Sequence, residues 1–468
     1  MNRSIRQVSI FAMVMFFALL ANVTITHFTR SDELLNDGRN SRVRDAQFGG
    51  PRGEILAANS PIASTEYTGE RPYLHARRYT DGPLYAPITG FYSYNYGSTG
   101  LEAKYNDVLT GQADSQFIGR VLDTLAGREH QGGILQTTID PAAQQAAWEA
   151  LAGREGAVVA IDYQTGAILA WVSTPSFDPN RLSSTDIAST EPAWQELTSD
   201  PTRPMNDRAT REIYPPGSTF KLVTAAAALE AGMKPETMIA TPASLPLPGS
   251  TRSLPNLANC GDGEVSLDTA LTLSCNTTFA NIALQLGADK LREQAQKFGF
   301  GTPPSRDLDA ATSRFPANPS DAELAMSAIG QFEVAASPLQ MAMVAGGIAN
   351  GGKIMEPYVV GQIRHANQSV ISTRKPQLRS TAMTSQNAET LKVMMRHVVE
   401  SGTGTPAQIQ GEIIGGKTGT AENAVGAQSY SWFAGYLESK HVAVATFLVE
   451  PGNDTATPVA RAVLEALR

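Results

Sequence analysis

Cysteine and histidine are scarce in this sequence, with two Cys and six His in 468 residues. Neither falls at a metal-ligand spacing such as HExxH or paired CxxC, so no metal and no other cofactor is expected. An excess of positive charge is also missing. Lys and Arg number 37 against 45 Asp and Glu, a net charge of -8, which argues against nucleic acid or another polyanion as partner. Internal repeats, low-complexity tracts and runs of like charge are absent too. At roughly 150 residues per domain the length suggests two or three domains.

The longest apolar stretch comes first. From Gln7 to Phe28 no residue is charged, and Val8 to Ala21 is almost wholly apolar, preceded by Arg3 and Arg6. About 20 apolar residues span a bilayer, and basic residues ahead of a span hold that end in the cytoplasm. Residues 1–30 therefore read as a cytoplasmic N-terminus and a transmembrane anchor. The protein is expected to be single-pass in the cell membrane, with everything after Thr29 outside the cytoplasm. A cleaved signal peptide is the rival reading. Ala18 and Ala21 are small enough for cleavage, but Val23, Ile25 and Phe28 extend the stretch beyond a usual signal-peptide core.

Residues 31–139 mix short apolar pieces with Gly, Tyr and Arg, as in PRGEILAANS and APITGFYSYNYGSTGLE, and read as a mostly β, non-catalytic domain. At Asp140 the texture changes. Asp140 suits an N-cap and Pro141 the first helical position of AAQQAAWEAL, so a second domain is expected over 140–468. Ala157–Asp162, a turn at Tyr163–Gly166 and Ala167–Val172 predict a β-hairpin. Ile413–Ala421, Tyr430–Tyr436 and Val442–Val449 predict three more strands, and Pro458 opens a last amphipathic helix. Between the two strand groups lie helical runs such as Phe220–Ala231 and Pro338–Ala349. Strands at both ends with helices between predict an α/β (α+β) domain, one antiparallel five-stranded sheet flanked by helices.

Three short segments could carry chemistry. In Tyr214-Pro215-Pro216-Gly217-Ser218-Thr219-Phe220-Lys221 a serine opens a helix, with a lysine three residues later on the same face. A serine hydroxyl becomes nucleophilic when a nearby base takes its proton, and a lysine kept neutral by burial or a neighbouring cation can be that base. A helix N-terminus also favours developing negative charge. Ser372-Thr373-Arg374-Lys375 repeats the spacing in a polar stretch that cannot open an apolar helix, so context discriminates; alone, Ser218 reads equally as an N-cap.

In Ser274-Cys275-Asn276, a loop with alternating side chains would point the hydroxyl and the amide into one cleft. Ser274 could relay a proton and Asn276 could hold a substrate carbonyl. In Gly415-Gly416-Lys417-Thr418-Gly419-Thr420 an apolar strand turns small and cationic, as an edge strand receiving an extended peptide would, with Lys417 and Thr418 meeting its carboxylate. The N–H groups of Thr420 and Ser218 could form an oxyanion hole. Gly411 to Thr418 also fits GxxxxGK(S/T), but Ile413 and Ile414 lie inside the would-be loop, and Gly419 and a turn at Asn423–Gly426 follow where a helix is needed. Cys260 and Cys275 are disulfide candidates in an exported chain, or else two free, buried thiols.

SxxK at Ser218, SxN at Ser274 and KTG at Lys417, in that order, resemble the motif set of penicillin-binding proteins and class A β-lactamases. The surroundings are similar to the transpeptidase domain of class B penicillin-binding proteins: YPPGSTFK, LSCNTTFA, AIGQ and SPLQMA between Ala328 and Ala342, KTGTAE, and SWFAGY. PRGEI at Pro51–Ile55 resembles the start of their pedestal, and APITGFYS and STGLE resemble the short penicillin-binding protein A type. The resemblance implies a serine transpeptidase/β-lactamase-like domain behind an N-terminal pedestal.

It further implies a peptidoglycan D,D-transpeptidase. Ser218 would be acylated by the D-Ala-D-Ala end of a stem peptide, with Lys221 as base and Ser274 and Asn276 assisting proton transfer and holding the donor. Lys417, Thr418 and Thr420, with Gly419 between them, would bind the terminal carboxylate and line the oxyanion hole. The expected partners are stem peptides, β-lactam antibiotics, the cytoplasmic membrane and division proteins. One departure is Phe332, where many relatives have Gly. A glycan-polymerising module is not expected, because residues 31–139 are too few. Two other readings are a β-lactam-hydrolysing enzyme or carboxypeptidase, which needs an activated water and a Glu in a recognisable place, and a scaffold or sensor, which would usually carry more transmembrane helices.

Overall fold

The computed structural model describes residues 3–35, 41–127, 131–421, 429–449 and 455–468. Glu422 and the turn expected at Asn423–Gly426 lie outside the described residues. Helix α1 (Arg3–Leu35) contains the apolar stretch, and its Arg3–Thr29 portion is long and apolar enough to cross a membrane, with none of its apolar window buried. At 1.5 Å per residue those 27 residues reach about 40 Å, more than a hydrocarbon core requires. Helix α2 (Ser41–Phe48) then docks through Phe48, whose ring lies 5.2 to 5.6 Å from Tyr73, Tyr92 and Tyr94.

The pedestal is built on strands β1 (Ile55–Ala57), β2 (Ser60–Tyr67) and β3 (His75–Tyr79), paired antiparallel in sequence. After helix α3 (Phe117–Leu125), strand β4 (Ile134–Thr137) runs parallel to β1. Short helices join these strands, including one over Gly82–Thr89, so the module is more helical than its Gly- and Tyr-rich texture suggests. A parallel pair such as β1 and β4 needs a long crossover, and helical turns fill it. Its most buried polar group is Glu102, which accepts from Arg52 Nη2 at 2.8 Å, Arg77 Nε at 2.5 Å and Tyr79 Oη at 3.2 Å.

The larger domain opens with helix α4 (Pro141–Leu151). Asp140 caps it, its carboxylate accepting from Ala143 N at 2.9 Å, and Pro141 occupies the first turn. The hairpin of β5 (Gly156–Asp162) and β6 (Ile168–Thr174) follows. Then come helices α5 (Lys221–Glu230), α6 (Leu267–Leu273), α7 (Asn276–Leu286) and α8 (Pro338–Ala349). Strands β7 (Val360–Arg364) and β8 (Val370–Thr373) leave this domain and extend the pedestal sheet, β7 pairing antiparallel with β4. The pedestal sheet thus draws its last two strands from well past Asp140.

Helix α9 (Ser385–Ser401) precedes β9 (Ile414–Ala421), β10 (Tyr430–Leu437) and β11 (Val442–Val449), and α10 (Ala456–Ala466) ends the chain. The five strands form one antiparallel sheet in the order β9, β10, β11, β5, β6. Both faces are covered, which explains the uninterrupted apolar runs. Ala157, Val159 and Ile161 of β5 join the α5–α8 core, while Val158 and Ala160 meet Ala143, Ala147, Val459 and Val463 of α4 and α10. Burying one Val or Leu there contributes about 1.5–3 kcal/mol, so both helix layers hold the sheet rigid. Its free edge is β9.

Candidate active site

Ser218 sits in a 3-10 turn, Gly217–Phe220, that runs straight into α5. The turn is fixed by close backbone contacts that only glycine permits. Gly217 has φ +54°, and a Cβ there would stand 2.5 Å from the Thr420 carbonyl of β9. Its N–H donates to Gly330 O at 3.0 Å, and a Cβ on Gly330 would lie 2.1 Å from Gly217 O. Three segments far apart in sequence therefore meet at the Ser218 turn. Phe220 anchors the turn from below, fully buried against Phe300 and Phe315. Ser218 itself is half-buried.

One turn on, Lys221 is fully buried. Its Nζ reaches Ser274 O at 2.7 Å, Asn276 Oδ1 at 2.7 Å and Ser274 Oγ at 3.2 Å, with the Phe279 ring centroid at 5.6 Å. All three oxygen partners are uncharged. Burial, reinforced by the positive charge of Lys417, holds the Lys221 amine well below the usual lysine range. A neutral amine keeps two N–H donors and gains a lone pair. The Ser274 hydroxyl, which carries its own proton, is the partner that can then donate to it.

Ser274 and Asn276 converge on this amine by a different route from the alternating loop expected. Ser274 ends α6 in the left-handed conformation, φ +65°, and Asn276 is the first residue of α7. A helix-to-helix corner turns both side chains inward, where a strand-like stretch would have used alternation. The Asn276 amide is also held from its other side, its Nδ2 donating to Pro255 O at 3.1 Å. Cys275 lies between them and is disulfide-bonded to Cys260, Cα–Cα 5.9 Å, closing a loop of sequence separation 15. Such a loop contributes about 3 kcal/mol in the chain-entropy account, at the corner that carries Ser274.

Across the groove, β9 presents Lys417 and Gly419 on the face toward the Ser218 turn. A Cβ on Gly419 would stand 2.9 Å from Pro216 O, and Lys417 is fully buried, its Nζ 3.1 Å from Thr418 O. Thr418 and Thr420, on the alternate positions, are half-exposed. The Thr418 hydroxyl shares a 2.6 Å hydrogen bond with Thr403 Oγ1. Thr403 is a site neighbour that the sequence reading missed; its signal was the Gly-Thr-Gly-Thr turn directly after α9. Because Ile414–Ala421 pairs residue by residue with β10, Lys417 belongs to a continuous strand, and no phosphate-cradling loop exists there.

Phe332 lies two residues beyond Gly330, with φ +64° and 45% of its surface exposed. The decoy at Ser372 to Lys375 does not open a helix, since Ser372 and Thr373 lie in β8. Among the described residues no cluster of three or more His, Cys, Asp or Glu could hold a metal ion.

Comparison with known proteins places this geometry. The profile of the penicillin binding protein transpeptidase domain matches residues 156–467, and that of the penicillin binding protein A dimerisation domain matches 52–135. The chain is 41% identical to the peptidoglycan D,D-transpeptidase PbpA of Mycolicibacterium smegmatis, covering 100% of this chain and 99% of that protein. It is 40% identical, with the same coverage, to PbpA of Mycobacterium tuberculosis. The crystal structure of PBPA from M. tuberculosis superposes with a TM-score of 0.86 at 38% identity, covering 90% of this chain and 99% of that one. A penicillin G acyl-enzyme complex of the same M. tuberculosis protein matches with a TM-score of 0.84 at 39% identity, covering 89% and 99%.

Proposed function

The chain belongs to the penicillin-binding protein transpeptidase family and is a peptidoglycan D,D-transpeptidase, and we propose that it cross-links stem peptides through an acyl-enzyme on Ser218. The observation that carries this reading is the buried Lys221 amine, held only by neutral oxygens one turn from Ser218. A donor peptide ending in D-Ala-D-Ala lies along the free edge of β9 as an added strand. Its carboxylate meets the Thr418 and Thr420 hydroxyls in the field of Lys417. Its scissile carbonyl points at the N–H groups of Ser218 and Thr420, each such donor being worth about 3–4 kcal/mol in the transition state.

Neutral Lys221 takes the Ser218 proton as Oγ adds to the carbonyl carbon. The tetrahedral oxyanion collapses, the C–N bond breaks, and the departing D-Ala amine receives a proton through the Ser274 hydroxyl. An acceptor amine from a second stem peptide then adds to the ester. Its surplus proton passes to the Ser274–Lys221 pair, the ester C–O bond breaks, and Ser218 regains its hydrogen. A β-lactam acylates the same serine, but its leaving nitrogen stays tethered and blocks the acceptor.

The same proposal places α1 in the cytoplasmic membrane with Arg3 and Arg6 inside and the rest of the chain outside, in a cell-division role alongside division proteins. It takes 31–139 as pedestal and 140–468 as catalytic domain, with β7 and β8 lent to the pedestal sheet. The test is intact mass after incubation with benzylpenicillin. The expected result is one stable adduct per chain, absent in Ser218→Ala; an unmodified wild-type chain, or an adduct retained in Ser218→Ala, overturns the assignment.

A further inference from the structure

Helix α3 exposes Phe117, Ile118, Val121 and Leu125 by 56%, 74%, 40% and 80%. At about 100° per residue these four positions fall within an arc of about 100°, a single face. Past α1, no other helix among the described residues leaves a large apolar side chain exposed. Outside that arc Arg120 is tied inward, its Nη1 donating to Gly111 O at 2.7 Å, while the exposed Thr124 hydroxyl bonds its own helix backbone at Arg120 O, 2.8 Å. A contiguous apolar face on an otherwise polar surface marks an interaction site.

Topology fixes where that face lies. Strands β1 and β4 are parallel, and β4 leads within three residues to Asp140, whose N–H bonds Leu169 O in β6 of the catalytic sheet. Both strands therefore start at the end of the pedestal remote from the catalytic domain. The α3 excursion is pinned at those starts: Gly53 N donates to Leu109 O and Gly133 N to Val108 O, each at 2.8 Å. The buried Gln116 amide, oriented to satisfy both neighbours, bridges Val108 O and Gly133 N. The chain arrives from α1 and α2 at this same end, since Gly53 lies two residues before β1. Tyr67, at the far end of β2 and so beside the start of β1, is 68% exposed there as well.

We propose that the apolar face of α3 rests in the interface of the bilayer that α1 spans. The inference builds on the anchor reading of α1 and adds a second contact to it. A nine-residue amphipathic face binds lipid weakly on its own. Tethered by α1, it meets the bilayer as an intramolecular partner at an effective concentration on the order of millimolar. Tyr67 suits the same layer, because an aromatic ring with a polar tip settles at headgroup level. The two contacts together set the tilt of the pedestal and hence the height of the Ser218 groove.

The experiment uses the full chain in nanodiscs of phosphatidylcholine, with or without bromine on the acyl chains. Both native cysteines are paired, so Ile118→Cys takes a single bimane label, and Met238→Cys, 54% exposed on the catalytic domain, serves as reference. Expected are co-elution with the discs and a fall of about twofold or more in Ile118-site fluorescence in brominated lipid, with the Met238 site unchanged. Equal fluorescence in both lipids from a chain that co-elutes overturns the proposal and leaves the anchor standing. If equal fluorescence is joined by cross-linking between copies of the unlabelled Ile118→Cys chain, the face belongs to a second chain instead. Failure to enter the discs removes the anchor reading, and this one with it.

Discussion

Two of the places where the described residues bury cations almost completely solve the problem in opposite ways. In the pedestal, Arg52 and Arg77 close on one carboxylate, Glu102, and every charge has a partner. The two guanidiniums hold the Glu102 carboxyl below its ordinary value in spite of burial. In the catalytic groove Lys221 is at least as buried, yet it faces carbonyl, amide and hydroxyl oxygens and a second lysine. A compensated cluster stays charged and inert. An uncompensated amine holds its proton less tightly, which suits it to the proposed role of base. Burial alone therefore does not mark a reactive lysine; burial without a carboxylate does.

The strongest way to break this comparison is Lys221→Met, which keeps volume and removes the base. Acylation by benzylpenicillin, followed by mass or by rapid quench, is expected to fall by about 10³- to 10⁴-fold. The wild-type rate should also rise with pH as Lys221 loses its proton, then level off well below the usual lysine value. The sign follows from the lowered pKa: between its folded value and 10.5 the unfolded chain binds the extra proton, so stability too rises with pH in that window. A rate that keeps climbing toward pH 10 would mean an ordinary, protonated lysine and would remove the contrast.

Next in size is Glu102→Gln, which leaves two guanidiniums buried without a counter-charge. Urea unfolding should show a loss of about 3–5 kcal/mol, while the folded fraction acylates at the wild-type rate. Here the linkage runs through acid. The lowered Glu102 pKa contributes stability above the carboxyl's unfolded value, and that contribution is lost as pH falls through the folded one. If Glu102→Gln instead impaired acylation at unchanged stability, the pedestal cluster would be part of the site and the division of labour drawn above would collapse.

The sequence made one of these two sites readable and not the other. Ser218, Lys221 and Lys417 sit in short segments whose residue types and order carry the chemistry, and the strand at Val442–Val449 and the helix at Pro338–Ala349 coincide with their predicted spans. The ion cluster joins residues 25 to 50 positions apart in a module with no periodicity to read, so nothing local announces it. The same limit explains β7, whose partner strand β4 lies more than 200 residues earlier, and β8, which follows it into the sheet. It also explains Ser274 and Asn276: their convergence on Lys221 depends on a left-handed residue between two helices, which a polar tripeptide does not disclose.

The smallest effect sharpens the comparison on the catalytic side, where non-glycine residues are held in the left-handed region close to Ser218. Phe332 is one of them, and with 45% of its surface exposed it gives little burial in return. Comparing Phe332→Gly with Phe332→Ala removes the ring from both and isolates the backbone, since only glycine takes a φ of +64° without a Cβ clash. Urea midpoints should favour the glycine variant by about 1 kcal/mol. The acylation rates of the two should match, because both lack the ring and neither alters the Gly330 to Gly217 hydrogen bond that seats Ser218. Equal stability of the pair would show that the segment relaxes freely, and that the strain beside the nucleophile is borne at Ser274 alone. A stability gap joined by a slower glycine variant would instead show that a stiff turn at Phe332 helps to hold Gly330 against Ser218, making backbone strain a working part of the groove.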